Sequence, residues 1–334
     1  MSSPAPGGRR ASWRAGLARR LDEFGYTRGG FVLAPGPDDT LIPATRFFDR
    51  DHLRWAIAQT VPALRGRDLR PGDDAGKHMR IAASRFSRRY ASLLSAATLV
   101  GLANGIGLDV SPARCAAVIR PNGQYRLLLD GADGPDEVVR CAERPTPWPV
   151  GGPVVPTVAV LRDYVWRRLY ADHLAPVYAL ALDIVPVAPH LLWSSAAEWA
   201  GLISDLAEAH LDAVAARPYV ADRRELLGAT TLPGLPGPNP LLGKIEWTPV
   251  AGDDHPKAVQ TRRHCCITFL LDDRFGRLCD NCPYLSIEDR AALVRAKHGR
   301  PAGSPQSPAE QRIMRRAREL PVVMRAMRAH QRNR

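Results

Sequence analysis

The stretch HMRIAASRFSRRYASLLSAATLVGLANGIG spans residues 78–107 and decides the fold class. Met79, Ala83, Phe86, Tyr90, Leu93, Ala97, Val100 and Asn104 follow one another at steps of four and three. That spacing lines one face of a long helix. Gly105 and Gly107 are expected to stop it.

Outward from this helix the pattern stays helical. SWRAGLARRLDEF (12–24) reads as a short helix with a basic face, and DRDHLRWAIAQTV (49–61) as a helix capped by Asp49 or Asp51, whose carboxylates can accept from free backbone N–H groups. RGRDLRPGDDAG (65–76) reads as a loop. Thr157 can cap the helix VAVLRDYVWRRLYADHL, and a further helix is expected from Leu191 to the proline at 218. SIEDRAALVRAKHG (286–299) reads as a helix with Ser286 as its cap. The last 34 residues read as a linker followed by a basic helix or an unstructured tail.

Two places break the helical pattern. In CAAVIRPNGQYRLLLD (115–130) two β-type runs flank Pro121-Asn122-Gly123, a hairpin signal because Asn-Gly accepts the positive φ of a tight turn. IEWTPV (245–250) and AVQTRRHCCITFLL (258–271) also read as strands. The four prolines between Leu232 and Leu241 rule out regular structure there. The expected fold is α+β, mainly α-helical with one or two β-hairpins, with a small Cys-rich module near the C-terminus.

The net charge of +12 over 334 residues sits at the ends. Residues 1–20 carry five Arg and no acid, and residues 301–334 carry eight Arg and two Glu. The body between them is close to neutral. A DNA-reading face places its charge on the folded body, so nucleic acid is not an expected partner. Basic ends are suited to anionic lipid or an acidic partner. No run of 18 apolar residues and no apolar signal-peptide core is visible. The expected location is the cytoplasm, with peripheral contact at the inner face of the membrane. In that compartment clustered thiols bind metal or do redox chemistry.

Four of the six cysteines fall within 18 residues: Cys265, Cys266, Cys279 and Cys282. The pattern is C-C-x12-C-x2-C. Cys279 and Cys282 form a chelate, because two intervening residues let one turn point both sulfurs at one metal. A structural zinc ion takes four thiolates and usually presents two such knuckles. The adjacent Cys265-Cys266 pair, expected at the end of a strand, is a poor knuckle because neighbouring side chains in a strand diverge. A [2Fe–2S] cluster also takes four thiolates, two per iron. Arg262, Arg263 and Arg277 flank the cysteines, and cations there would favour the more negative reduced cluster. Cys115 and Cys141 are isolated and read as buried hydrophobes. His173 and His210 read as structural histidines.

RRHCC together with LCDNCP resembles the C-terminal cluster domain of the FhuF-like ferric siderophore reductases, which bind [2Fe–2S] through an adjacent Cys pair and a C-x2-C. This chain departs from that family by two extra residues between the pairs. GPNP (237–240), DHLAPVYAL (172–180), LLWSSAA (191–197) and the helix after residue 78 resemble the family's upstream region more weakly. The resemblance covers roughly residues 77–290 and implies a helix-rich FhuF-like substrate-binding region (21–236) and a [2Fe–2S]-binding module (237–299); the basic N-terminal arm (1–20) and the basic tail (300–334) lie outside it and are read from their charge. It implies a cytoplasmic ferric-siderophore reductase acting on an imported, foremost hydroxamate, ferric siderophore. Its metal and cofactor ligands would be Cys265, Cys266, Cys279 and Cys282. No nucleotide-binding signature is visible, so the electron is expected from a ferredoxin or a flavin-dependent donor. An iron–sulfur redox partner in a biosynthetic pathway, or an iron–sulfur regulatory protein, remains the alternative.

Overall fold

The computed structural model describes residues 11–24, 32, 35–61, 76–119, 125–129, 138–250, 258–267, 278–297, 307–321, 323–325 and 328. They form a mainly α-helical fold with small sheets of two and three strands. The helices are α1 (Ala11–Glu23), α2 (Arg50–Gln59), α3 (Gly76–Ala103), α4 (Val158–Trp166), α5 (Ala175–Ile184), α6 (Pro189–His210), α7 (Ala213–Gly228), α8 (Ile287–Lys297) and α9 (Pro308–Glu319). The strands are β1 (Thr40–Pro43), β2 (Ile106–Leu108), β3 (Cys115–Ile119), β4 (Tyr125–Leu129), β5 (Val138–Cys141), β6 (Val154–Val155), β7 (Ile245–Pro249) and β8 (Ala258–Arg262). Among the described residues no helix is long and apolar enough to cross a membrane.

The chain divides into two compact units that interleave along the sequence. One comprises Met1–Arg54, Arg89–Ile184 and Trp199–Leu242; the other comprises Trp55–Arg88, Val185–Glu198 and Gly243–Arg334. The sequence reading placed consecutive domains instead, because side-chain periodicity reports elements and not which distant elements pack together.

In the first unit, β1 and β4 flank β3, antiparallel on both sides. The hairpin read at 115–130 is the β3–β4 pair, and its Pro-Asn-Gly turn lies outside the described residues. A second sheet runs β2-β5-β6, with β5 antiparallel to β2 and parallel to β6. The stripe of α3 is buried as expected, and the helix ends at Ala103. Gly105 stops it: its φ is +79°, and a Cβ there would lie 1.9 Å from the Arg144 carbonyl oxygen. Gly107 instead lies in β2. Thr157 caps α4. The chain continues through eight residues of π-helix, Arg167–Leu174, into α5. The helix expected to end at Pro218 ends earlier. Asp212 accepts from the N–H groups of Val214 and Ala215 and starts α7, with Pro218 inside it. Asp222, buried in α7, binds Arg144 at 2.6 Å and Arg162 at 2.8 Å. Asn239 donates to the carbonyls of Leu226 and Ala229 and accepts from Leu241 N–H, which ties the Pro-rich loop to the end of α7.

The described residues of both basic stretches include helices. From Ala11 onward the N-terminal region is α1, which buries Trp13, Leu17 and Leu21. The C-terminal region carries α9, in the second unit. It buries Ile313 and Met314, while Arg312, Arg315 and Arg316 are exposed. Basic residues dominate both stretches, and charge alone hid the few apolar side chains that hold them down.

Candidate metal centre

The second unit is built from the first half of α3, the start of α6, the β7–β8 hairpin and the two C-terminal helices. β7 and β8 pair antiparallel, with Ile245 opposite Arg262 and Pro249 opposite Ala258. The strand stops at Arg262, so Cys265 and Cys266 do not lie in it as read from the sequence. Arg263 and His264 bend the chain, and Ile267 has a φ of +54°. The argument that neighbouring strand side chains diverge therefore does not apply to this pair. Cys266 is anchored through its carbonyl, which accepts from Ser84 Oγ at 2.8 Å.

The second pair sits in a turn. Cys282 N–H donates to the Cys279 carbonyl at 3.0 Å, and Leu285 N–H to the Cys282 carbonyl at 3.1 Å. Ser286 then caps α8 through Asp289 N–H. The linking residues 268–277, including Arg277, lie outside the described residues.

The two pairs meet. Cys266 Sγ lies 3.5 Å from Cys279 Sγ. Cys265 hydrogen-bonds to both Cys266 and Cys282. All four are free thiols. Three of them meet one apolar cluster, in which Cys282 packs with Leu278, Leu285, Leu293, Ile313, Met314 and Val323. Cys265, Cys279 and Tyr284 lie against it. Tyr284 also hydrogen-bonds to Cys265. Among the described residues no three His, Cys, Asp or Glu side chains are grouped closely enough to hold a single metal ion. The sulfur contacts run instead from Cys282 to Cys265, Cys266 and Cys279. These are soft donors suited to zinc or to iron–sulfur clusters.

Two of the thiols, Cys265 and Cys279, are pushed towards the protonated form. The bond with Cys266 works to lower Cys265, but the bond with Cys282 and burial outweigh it and push the group up to about 12. Cys279 is pushed well above the ordinary thiol range, first by its bond with Cys266 and then by burial, with Arg88 opposing. A bound cation reverses this balance, because coordination deprotonates a thiol outright.

Behind the thiols lies a charged network that the sequence did not reveal. Glu198, in α6, accepts from Arg88 at 2.7 Å, from Arg262 at 2.9 Å and from Asn281 Nδ2 at 2.9 Å. The Arg262 and Glu198 side chains are 1% and 2% exposed. Burial would raise the Glu198 carboxyl, but the two guanidinium groups hold it below the usual range. Arg88 reaches further and donates to Cys279 Sγ at 3.4 Å. Arg290, also buried, donates to Thr261 Oγ1 and to the Leu285 carbonyl. Its position lets Cys282 act on its charge. Arg262 Nε and Nη2 and Asn281 Oδ1 are buried with no hydrogen-bond partner.

Of the flanking arginines expected to act on the site, Arg262 is committed to Glu198, and Arg263 is exposed and paired with Glu246. His264 stacks on His190 at 4.0 Å between ring centroids. Cys115 and Cys141 are buried away from these thiols in sequence and belong to the other unit. His173 is fully buried there: Nδ1–H donates to the Val110 carbonyl at 2.5 Å, and Tyr90 Oη–H donates to Nε2 at 2.6 Å.

No known protein-family model matches the chain, and no curated protein matches it.

Proposed function

We propose that this chain binds a [2Fe–2S] cluster through Cys265, Cys266, Cys279 and Cys282 and acts as a cytoplasmic ferric-siderophore reductase. The observation that carries the reading is the meeting of the adjacent pair with the C-x2-C pair, 3.5 Å apart at Cys266 and Cys279. Two pairs of thiols linked in a row suit a cluster that takes two thiolates at each of two irons. The half-buried Arg88 and the buried Arg262 and Arg290 outnumber the carboxylates of Glu198 and Asp280 and leave an excess of positive charge beside the thiols. That excess suits a four-thiolate group of net negative charge.

When bound, the cluster supplies one transferable electron. The chain's own residues place and shield it. Leu278, Leu285, Ile313 and Met314 keep water from one side of the cysteines, and Ser84 and the C-x2-C turn hold the sulfurs in position. A ferric siderophore holds iron through hard oxygen donors, which suit Fe(III) far better than Fe(II). One-electron reduction therefore loosens the complex. A ferredoxin or flavin-dependent donor would supply the electron, and the exposed arginines of α9 offer contact with an anionic membrane. A redox partner in a biosynthetic pathway would use the same thiols on another oxidant.

The test is to reduce the anaerobically purified protein chemically and add ferric hydroxamate, catecholate and carboxylate chelates with an Fe(II) trap. The reading expects rapid reoxidation, with about one trapped Fe(II) per cluster. The gallium chelate should bind competitively and leave the protein reduced. Reduced protein that keeps its electron across the whole panel would refute the reductase reading.

A further inference from the structure

The network behind the cysteines is asymmetric. Arg88 Nη1 donates to Cys279 Sγ at 3.4 Å. The same guanidinium is held by Glu198 at 2.7 Å through Nη2. Glu198 is in turn gripped by Arg262 from the end of β8 and by Asn281 from within the C-x2-C turn. Each anchor comes from a different segment, so Arg88 has little freedom to swing away. Arg88 also follows Ser87, whose hydroxyl lies 3.2 Å from Ser195 Oγ and fastens α3 to α6 one residue from the contact.

We propose that Arg88 is a positioning residue that sets the reduction potential at this site, by donating a charged hydrogen bond to Cys279 Sγ from a guanidinium fixed by Glu198. The proposal rests on the cluster reading given above and moves the tuning role from the flanking arginines to α3. Reduction adds one negative charge to a four-thiolate cluster. A cation hydrogen-bonded to a ligating sulfur stabilises that charge and raises the potential. Arg262 has the same charge, but its Nη1 is spent on Glu198, and Arg263 is exposed and paired with Glu246. Solvent screens the second strongly. Orientation matters as well as charge, because the guanidinium fork serves Glu198 and Cys279 from two different nitrogens. A lysine ammonium on the same helix offers no such fork.

The experiment is a redox titration of the full chain, purified anaerobically, with iron and sulfide measured for each variant. At the wild-type midpoint, Arg88→Gln should lower the ratio of reduced to oxidised protein about tenfold, equivalent to about 59 mV for one electron. Arg88→Lys should recover part of that, to a ratio lowered about threefold. Arg263→Ala should stay within about twofold of wild type. A loaded Arg88→Gln protein with a ratio within twofold of wild type overturns the proposal alone, as does an Arg263→Ala shift as large as that of Arg88→Gln. If Arg88→Gln does not load, the lysine variant decides: a lowered ratio supports the proposal and an unchanged one overturns it. A wild-type protein without iron and sulfide removes the cluster reading and this proposal together.

Discussion

Replacing Glu198 with Gln tests the charged network as a structural unit. The substitution keeps the shape and removes the charge that neutralises two guanidinium groups. Arg88 is 30% exposed on its side chain and can recover some hydration. Arg262 is 1% exposed and cannot. Removing one partner of a buried ion pair costs about 3–5 kcal/mol, because the other charge is left uncompensated. Most of that cost should come from Arg262. If so, Glu198→Gln combined with Arg262→Met should be more stable than Glu198→Gln alone by about 2–3 kcal/mol, since no deeply buried charge is then stranded. The assay is denaturant unfolding of the metal-free protein, with hydrogen exchange of the β7 and β8 amides reporting on this unit alone. A single variant that costs less than about 1 kcal/mol, or a double variant no more stable than the single, would refute the reasoning.

Three further outcomes are expected. Met314→Ala in α9 should destabilise the second unit by about 2–5 kcal/mol, as large-to-small core changes do, and exchange protection in α8 should fall; unchanged protection would return α9 to the status of an arm. His173 is held neutral by burial, its pKa lowered to about 4 against an ordinary 6.5, with the Val110 bond opposing. The unfolded chain therefore takes up the proton first. Stability should be full above pH 6.5 and decline between 6.5 and 4 by about 3 kcal/mol, a decline that His173→Gln should flatten in parallel pH titrations of Tm. Gly105→Ala should shorten or shift the end of α3, because its Cβ would meet the Arg144 carbonyl; a wild-type Tm would contradict this.

Much of the helical frame was legible because it follows from local spacing. The stripe from Met79 to Val100 is buried, and the caps at Asp49, Thr157 and Ser286 all accept backbone N–H groups. The four cysteines were legible as a group through their spacing alone, and the structure brings the two pairs together. What lay beyond reach was long-range. β1, β2, β5 and β6 are two to four residues long and pair only with distant partners, so they leave no alternating run to read. Arg88 sits beside the apolar stripe of α3, where a charged residue ordinarily faces solvent. Glu198 left one trace: it is the single acid in the apolar run LLWSSAAEWAGLI (191–203). A lone carboxylate there calls for buried cations, but nothing local says which ones. Asn281 was visible only as a spacer between two cysteines.

The central claim is that these four thiols hold a two-iron cluster, and metal and sulfide analysis of the anaerobically purified wild-type chain tests it most directly. The account predicts about two irons and two acid-labile sulfides per chain, lost when Cys265, Cys266, Cys279 or Cys282 is replaced by Ser and retained when Cys115 or Cys141 is. A colourless protein carrying one zinc and no sulfide would contradict it.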